Sequence, residues 1–367
     1  MKIIHCADLH LDSRLTANLP PAKAKQRQDE LLHNFIRLAE DAGTKGVQAV
    51  LIAGDLFDSR SVSATARNTV LDTIRKYPAI TFFYLQGNHE GDSFLSDIPA
   101  GISNLKTFGD TWTSYDLGDA VTVNGVVLTP ENSTNVSSLL QEDPSKFNIV
   151  MLHGVLSEYE SKDRAEIINL RGFQNRAIDY LALGHIHQHQ EGDLPPRGRW
   201  CYPGCLEGRG FDETGEHGYV LIDIDTAMRR AQYEFVPFAR RHLYEVEVDV
   251  TGCESTIQMI GRAKETLEKN TSLSEMDEIK IVLTGRLDVL REMNLDLIAK
   301  NFEHSYYFVK CEDRTRLAYN YAEYAKEATL KGEFVRAVNG AEDLTDQEKA
   351  EIIRCGIQAL NGEDIEE

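Results

Sequence analysis

The 367-residue chain has no uninterrupted apolar run of about 18 residues, the length a membrane-spanning helix needs. Its first residues, MKIIHCADLH, enter a strand-like pattern directly, without the basic-then-apolar layout of a secretory signal. Cysteine is sparse and scattered: six residues, no C-x-x-C pair, and Cys201 and Cys205 the closest two. That spacing excludes a cysteine-built zinc module and a disulfide framework, so the expectation is reduced thiols in a cytoplasmic protein with no membrane contact. Basic residues are also short, 39 Lys+Arg against 59 Asp+Glu, a net of −20. This argues against broad, unaided binding to nucleic acid, because affinity for phosphate backbones comes mainly from Lys and Arg. Divalent cations, a local basic rim or a partner protein can still supply positive charge to an anionic substrate.

What is present is an alternation of strand and helix signals over the first two-thirds. KIIHCA, VQAVLIAGD and AITFFYLQGN read as buried strands. AKQRQDELLHNFIRLAEDAG and ATARNTVLDTIRKY between them have helical spacing. This order predicts parallel pairing with helices on the sheet faces. FNIVMLHG and DYLALGHIH are two further buried strands, and GYVLIDID and RRAQYEFV read as a closing antiparallel pair. Near residue 240 the style changes to the strict apolar–acidic alternation of YEVEVDV, followed by helix, strand, helix and strand. The length is too great for one ordinary core. The expected division is 1–239, a small α+β domain over 240–312, and a helical tail over 313–367.

Each buried strand of the first part ends in the same kind of residue, of types able to hold a metal. KIIHCA is followed by Asp8 and His10, VLIA by Gly54, Asp55 and Asp58, and FFYLQ by Gly87, Asn88 and His89. IVML is followed by His153, and YLAL by Gly184, His185 and His187. Ligands in open α/β sheets bind at the carboxyl ends of strands. Carboxylate, amide and imidazole together suit Mn, Fe or Zn rather than Ca. The set exceeds what one ion takes, and two ions about 3.5–4 Å apart, bridged by one carboxylate, would use it all. Any single piece has a plain structural reading: Asp8 as a helix cap, Asn88 as a turn residue, a lone buried histidine as a hydrogen-bonded one. Five pieces in one order, each closing an apolar strand, are hard to explain as chance.

The series D-x-H, G-D-x-x-D, G-N-H-E, H-G, G-H-x-H resembles the calcineurin-like metallophosphoesterase signature, complete and in order over residues 1–190. IIHCADLHLDS, AGDLFDS and YPGCLEGRGFDETGEHGYVLIDI resemble one branch, the SbcD-type DNA repair nucleases. The resemblance implies an α/β fold: a β-sandwich flanked by helices, with a small α+β capping domain and a C-terminal helical tail. It implies that Asp8, His10 and His187 hold a first metal, that Asn88, His153 and His185 hold a second, and that Asp55 bridges them. His89 would face the leaving oxygen as general acid or charge stabiliser, and Asp58 would orient it. His189 and His5 match no ligand position; the expectation is a solvated turn residue and a structural one. Archaeal and eukaryotic relatives of this branch carry a second histidine where this chain has Asp58, so their exonuclease detail does not transfer directly. Glu90 reads as a helix cap. Arg209 reads equally as a phosphate contact or a surface arginine.

The implied activity is a DNA nuclease using two divalent ions, Mn2+ first with Fe2+ or Zn2+ as alternatives. It would act as a 3′–5′ exonuclease and single-strand endonuclease in DNA repair, with an SbcC-type ATPase as partner. Strand polarity, the physiological metal and homodimer formation stay open at this point. Two rival readings are a phosphatase or cyclic-nucleotide phosphodiesterase with the same metals, and an inactive scaffold for an ATPase. In the tail, LTDQEKAEIIRCGIQALNG places Thr345 and Glu348 at capping-box spacing. Ala350, Ile353, Ile357 and Leu360 form a narrow apolar seam of coiled-coil type. The seam is read as a docking site for the ATPase, or as packing on the protein's own body.

Overall fold

The computed structural model describes residues 1–15, 19–58, 62–87, 93–96, 98–99, 101–157, 166–288, 293–318, 324–342 and 344–361. The chain divides into two compact units, Met1–Leu243 and Tyr244–Glu367.

In the first unit, β1 (Lys2–Cys6), β2 (Ala49–Ala53), β3 (Thr81–Leu85) and β4 (Leu105–Thr107) pair in parallel. The connections from β1 to β2 and from β2 to β3 carry α1 (Pro21–Thr44) and α2 (Ala64–Lys76). Proline opens α1, where its missing N–H costs nothing, and the Ser63 hydroxyl accepts from Ala66 N at 3.1 Å to cap α2. A second six-stranded sheet holds β5 (Thr113–Leu117), β6 (Val121–Gly125), β7 (Phe147–His153), β8 (Tyr180–Gly184), β9 (Gln190–Leu194) and β10 (Gly198–Tyr202). Its order is β9-β10-β8-β7-β6-β5. The hairpin β11 (Gly218–Asp225) and β12 (Arg230–Pro237) then returns antiparallel to β1, so the first sheet runs β12-β11-β1-β2-β3-β4.

The two sheets pack face to face. Ala49, Leu51 and Ala53 of β2 share one buried cluster with Ile149 and Met151 of β7 and Ala182 of β8. The alternate residues Val50 and Ile52 pack on Phe35 and Leu38 of α1 and Val70 and Ile74 of α2. On the far side, Val150, Leu152, Leu181 and Leu183 pack against Val136 and Phe173. The central strands are apolar on both faces for this reason, which is the continuous run their sequences show. Register aligns the strand ends: Cys6 stands opposite Ile52, Ala53 opposite Leu85, and Gly184 opposite His153.

In the second unit, β13 (Leu243–Asp249), β14 (Glu278–Thr284) and β15 (Phe308–Asp313) form a three-stranded sheet in that order. Val248, Ile279 and Ile281 pack there with Met259 and Ala263 of α3 (Thr256–Lys269) and Ile298 of α4 (Leu295–Phe302). The helices α5 (Leu330–Asn339) and α6 (Asp346–Asn361) form a hairpin with a core of its own. Its capping box is reciprocal: Glu348 N donates to Thr345 Oγ1 at 3.3 Å and Thr345 N donates to Glu348 Oε2 at 2.8 Å. The apolar seam faces both ways. Ile353 and Ile357 are buried with Val335, Phe334 and Val338 of α5, while Ala350 and Leu360 are exposed. No described helix is long and apolar enough to cross a membrane.

Candidate metal centre

The loops that follow the buried strands are stitched together by their backbones. Asp8 N donates to Gly54 O at 3.1 Å, His10 N to Asp55 O at 3.0 Å, and Gly154 N to Gly184 O at 3.1 Å. Asp8, His10, Asp55 and His185 take positive φ values of 53°, 46°, 48° and 101°. Non-glycine residues rarely adopt that region, and the strain is tolerated where function requires a particular side-chain direction. Two of the motif glycines are required by contact. A Cβ on Gly54, itself at φ +93°, would lie 2.0 Å from His153 Nδ1, and one on Gly184 would lie 1.8 Å from Ala53 O.

The side chains converge in two groups, Asp8–His10–His187, with His187 half-buried, and the fully buried Asp8–Asp55–His153, each with its donor atoms within 4.8 Å of one another. Asp8 belongs to both, and both of its carboxylate oxygens accept from His185 N at 3.0 Å. Asp55 Oδ2 stands 3.4 Å from His153 Nε2 and 3.9 Å from His10 Nε2, so it reaches toward both groups. The His185 ring lies edge-on to His153, with centroids 5.3 Å apart. Asn88 and His89 lie outside the described residues, as does Glu90.

The hydrogen bonds behind the rings fit a metal centre. His153 Nδ1 meets Ala53 O at 2.9 Å and His187 Nδ1 meets Glu213 Oε1 at 2.6 Å. An acceptor at Nδ1 places the ring proton there and leaves Nε2 with its lone pair. The His153 lone pair points at the Asp55 carboxylate, 3.4 Å away, and needs a cation or a proton between the two. The His187 lone pair points at His10 Nε2, 3.4 Å away, where a proton on His10 Nε2 or a cation completes the contact. Metal-binding histidines characteristically donate their other nitrogen to a carboxylate or carbonyl.

The electrostatics agree. Burial raises the Asp8 carboxyl above its usual range, against the pull of the three neighbouring histidines. Burial opposes charging His153, but Asp55 and Asp8 outweigh it and push the imidazole up to about 9. Burial likewise opposes charging His187, and Glu213 with Asp8 raises it. His185 is lowered, by burial and by His153. Asp55, Asp8 and Glu213 thus favour positive charge at His153 and His187, a charge that a divalent ion would supply in place of a proton.

Asp58, expected beside His89, has Oδ1 3.1 Å from His10 Nδ1 and 3.3 Å from Arg209 Nη1. Arg209 also places Nη2 2.9 Å from Glu213 Oε1. Glu213 was not singled out by sequence; the signal was its place in GRGFDETGEHG, which returns the chain to the strand ends. His5 is structural as expected: it is fully buried with Nδ1 2.9 Å from the Tyr180 hydroxyl, and burial lowers it to about 3. His189 is not a solvated turn residue. Its ring stacks on Phe235 at 4.6 Å and Nδ1 meets Tyr202 O at 3.0 Å. Ile186, between the paired histidines, lines a cavity of about 270 Å3 together with Leu156, Trp200 and Tyr202.

The model of the calcineurin-like phosphoesterase family matches residues 1–189, just over half of the chain and the part that contributes every residue of the two groups. The chain belongs to the calcineurin-like phosphoesterase family. It is similar to the uncharacterized metallophosphoesterase YhaO of Bacillus subtilis, 25% identical over 78% of this chain and 72% of that one. It is also similar to the DNA double-strand break repair protein Mre11 of Methanopyrus kandleri, 26% identical over 78% of this chain and 69% of that one. The SbcD component of the Escherichia coli nuclease SbcCD is 24% identical over 60% of this chain and 64% of its own length. As a calcineurin-like phosphoesterase with nuclease relatives, the chain is a metal-dependent phosphodiesterase, and the two groups are its candidate metal positions.

Proposed function

We propose that this calcineurin-like phosphoesterase is an SbcD-type DNA nuclease. It uses two Mn2+ ions, cleaves as a 3′–5′ exonuclease and single-strand endonuclease, and works in cytoplasmic DNA repair with an SbcC-type ATPase. The observation that carries the reading is the convergence of Asp8, His10, Asp55, His153 and His187 from four strand ends, in a chain whose relatives include Mre11 and SbcD. Two divalent ions would supply charge neutralisation for the phosphate and an activated water. Asp8, His10 and His187 would hold one ion and Asn88, His153 and His185 the other, with Asp55 between them. The Ala53 carbonyl and the Glu213 carboxylate hold the His153 and His187 rings from behind, so the reactive nitrogens are aimed before substrate arrives. His89 would protonate the leaving oxygen, with Asp58 assisting. The apolar cavity beside Ile186 is suited to a base or sugar next to the cleaved phosphate.

The net charge of −20 favours a partner that brings the basic surface. The α5–α6 hairpin is proposed as the dock, through Leu330, Ile352 and Leu360, which are 68%, 39% and 40% exposed. The test is an Mn2+-dependent assay panel of linear duplex, single strands, hairpins, cyclic nucleotides and an aryl phosphate, with His89→Ala as control. Cleavage of DNA ends above the small phosphoesters supports the nuclease. Turnover of cyclic nucleotides or the aryl phosphate alone would establish a phosphodiesterase or phosphatase instead, and no turnover at all a scaffold.

A further inference from the structure

Behind the first group lies a closed ring of contacts. His10 Nδ1 is 3.1 Å from Asp58 Oδ1, and His187 Nδ1 is 2.6 Å from Glu213 Oε1. Arg209 spans the two carboxylates, with Nη1 3.3 Å from Asp58 Oδ1 and Nη2 2.9 Å from Glu213 Oε1. Its backbone N–H donates to the other oxygen of Glu213 at 2.7 Å. The ring closes where the two histidines present Nε2 to Nε2 at 3.4 Å. The histidines are 177 residues apart in sequence, and Arg209 and Asp58 are 151 apart.

We infer that Arg209 is a positioning residue: it clamps Asp58 and Glu213 against His10 and His187, and so sets the affinity of one of the two metal positions. This rests on the two-metal reading of the site. Arginine suits the task because a planar guanidinium offers two separate N–H arms in a fixed fork, where lysine offers a point charge. The guanidinium arms are already directed at Asp58 and Glu213, so holding these carboxylates, rather than a substrate phosphate, is the role the geometry assigns. The ring serves one position only. His153 takes its support from the Ala53 carbonyl, on the side of the second group. Loss of an outer partner of a metal-binding histidine typically weakens metal binding about 10–100-fold. The loss should therefore fall on one ion and spare the other.

The test uses the full chain, stripped by chelator and titrated with Mn2+, with free ion counted by electron paramagnetic resonance. Melting of the chelated proteins reports folding. Wild type should bind two ions. Arg209→Ala and Glu213→Gln should each weaken one class of site by about 10–100-fold and leave the other unchanged. Arg209→Lys should not restore it. Should Arg209→Ala fail to fold, Glu213→Gln, which nearly preserves shape, decides alone. Two ions bound at wild-type affinity in a folded Arg209→Ala protein would overturn the inference. If wild type itself binds fewer than two ions, the two-metal reading fails first and the inference with it.

Discussion

The Nε2 atoms of His10 and His187 stand 3.4 Å apart, and each ring has a carboxylate behind it, Asp58 for one and Glu213 for the other. Two imidazoles held this way share a focus, and the Asp8 carboxylate lies at the same focus. The focus is a metal position in the proposed mechanism, and metal binding is the property to measure first.

The metal count follows from the shared carboxylates. Wild type is expected to retain two Mn2+ per chain after equilibration, by elemental analysis. Asp55→Asn should reduce content at both positions, since Asp55 Oδ2 reaches both His153 and His10. Full metal content and full turnover in Asp55→Asn would remove the bridge assignment.

Chemistry and metal binding should separate at His89. His89→Ala is expected to keep two ions and lose about 10²–10⁴-fold in turnover, the usual contribution of a general acid. Asp58→Ala should lose turnover and also metal affinity, because Asp58 supports His10. The double variant should fall well short of the product of the two losses. Metal loss in His89→Ala would recast that residue as a ligand.

A buried ion network ties α1 to the loop that carries Glu213. Arg27 Nη1 contacts Glu207 Oε1 at 2.8 Å, and Arg241 Nη2 contacts Glu30 Oε1 at 2.6 Å. Burial alone would raise the Glu30 carboxyl, but Arg241 and Arg27 outweigh it and hold it at about 2 against an ordinary 4.5. A lowered acid stabilises the fold above its unfolded value and loses that contribution as pH falls through the folded value. Glu30 should therefore stabilise the fold at neutral pH, a contribution lost between about pH 4.5 and 2. Urea unfolding at pH 7, 5, 4 and 3 should show a shallower acid decline in Glu30→Gln. Parallel pH curves for the two proteins would count against it.

Gly184→Ala should be destabilising well beyond an ordinary surface change. Its Cβ would meet a backbone carbonyl, Ala53 O, at 1.8 Å, and backbone cannot swing aside. A cost of at least about 2–3 kcal/mol is expected, read as a lower midpoint in urea. An unchanged midpoint would mean that the junction of β2 and β8 can open without penalty.

The tail separates folding from docking. Ile353→Asp/Ile357→Asp should melt the hairpin, because both side chains are its core. Leu330→Asp/Ile352→Asp/Leu360→Asp alters only exposed positions and should keep helicity by circular dichroism. Retention of the ATPase by that folded triple variant would remove the hairpin as its dock.

Local pattern was enough to place the strands, the reciprocal Thr345–Glu348 cap and the order of ligand motifs. Each of these depends on residues a few positions apart, and alternation or helical spacing reports them directly. The side-by-side placement of Asp8 and Asp55 was also legible, because the neighbouring parallel strands β1 and β2 are of equal length and end level with one another, whereas His153 comes from the second sheet. What the tertiary structure alone decided are contacts between distant segments. The second sheet had to stack on the first before His187 could meet His10, and the return of the chain through Arg209 and Glu213 had to follow before either ring acquired its support. His189 left solvent because β12 passes beside it and presents Phe235. Ile353 and Ile357 face inward because α5 presents the apolar Phe334, Val335 and Val338 across the hairpin. Periodicity shows that a face is apolar; only packing selects which surface covers it.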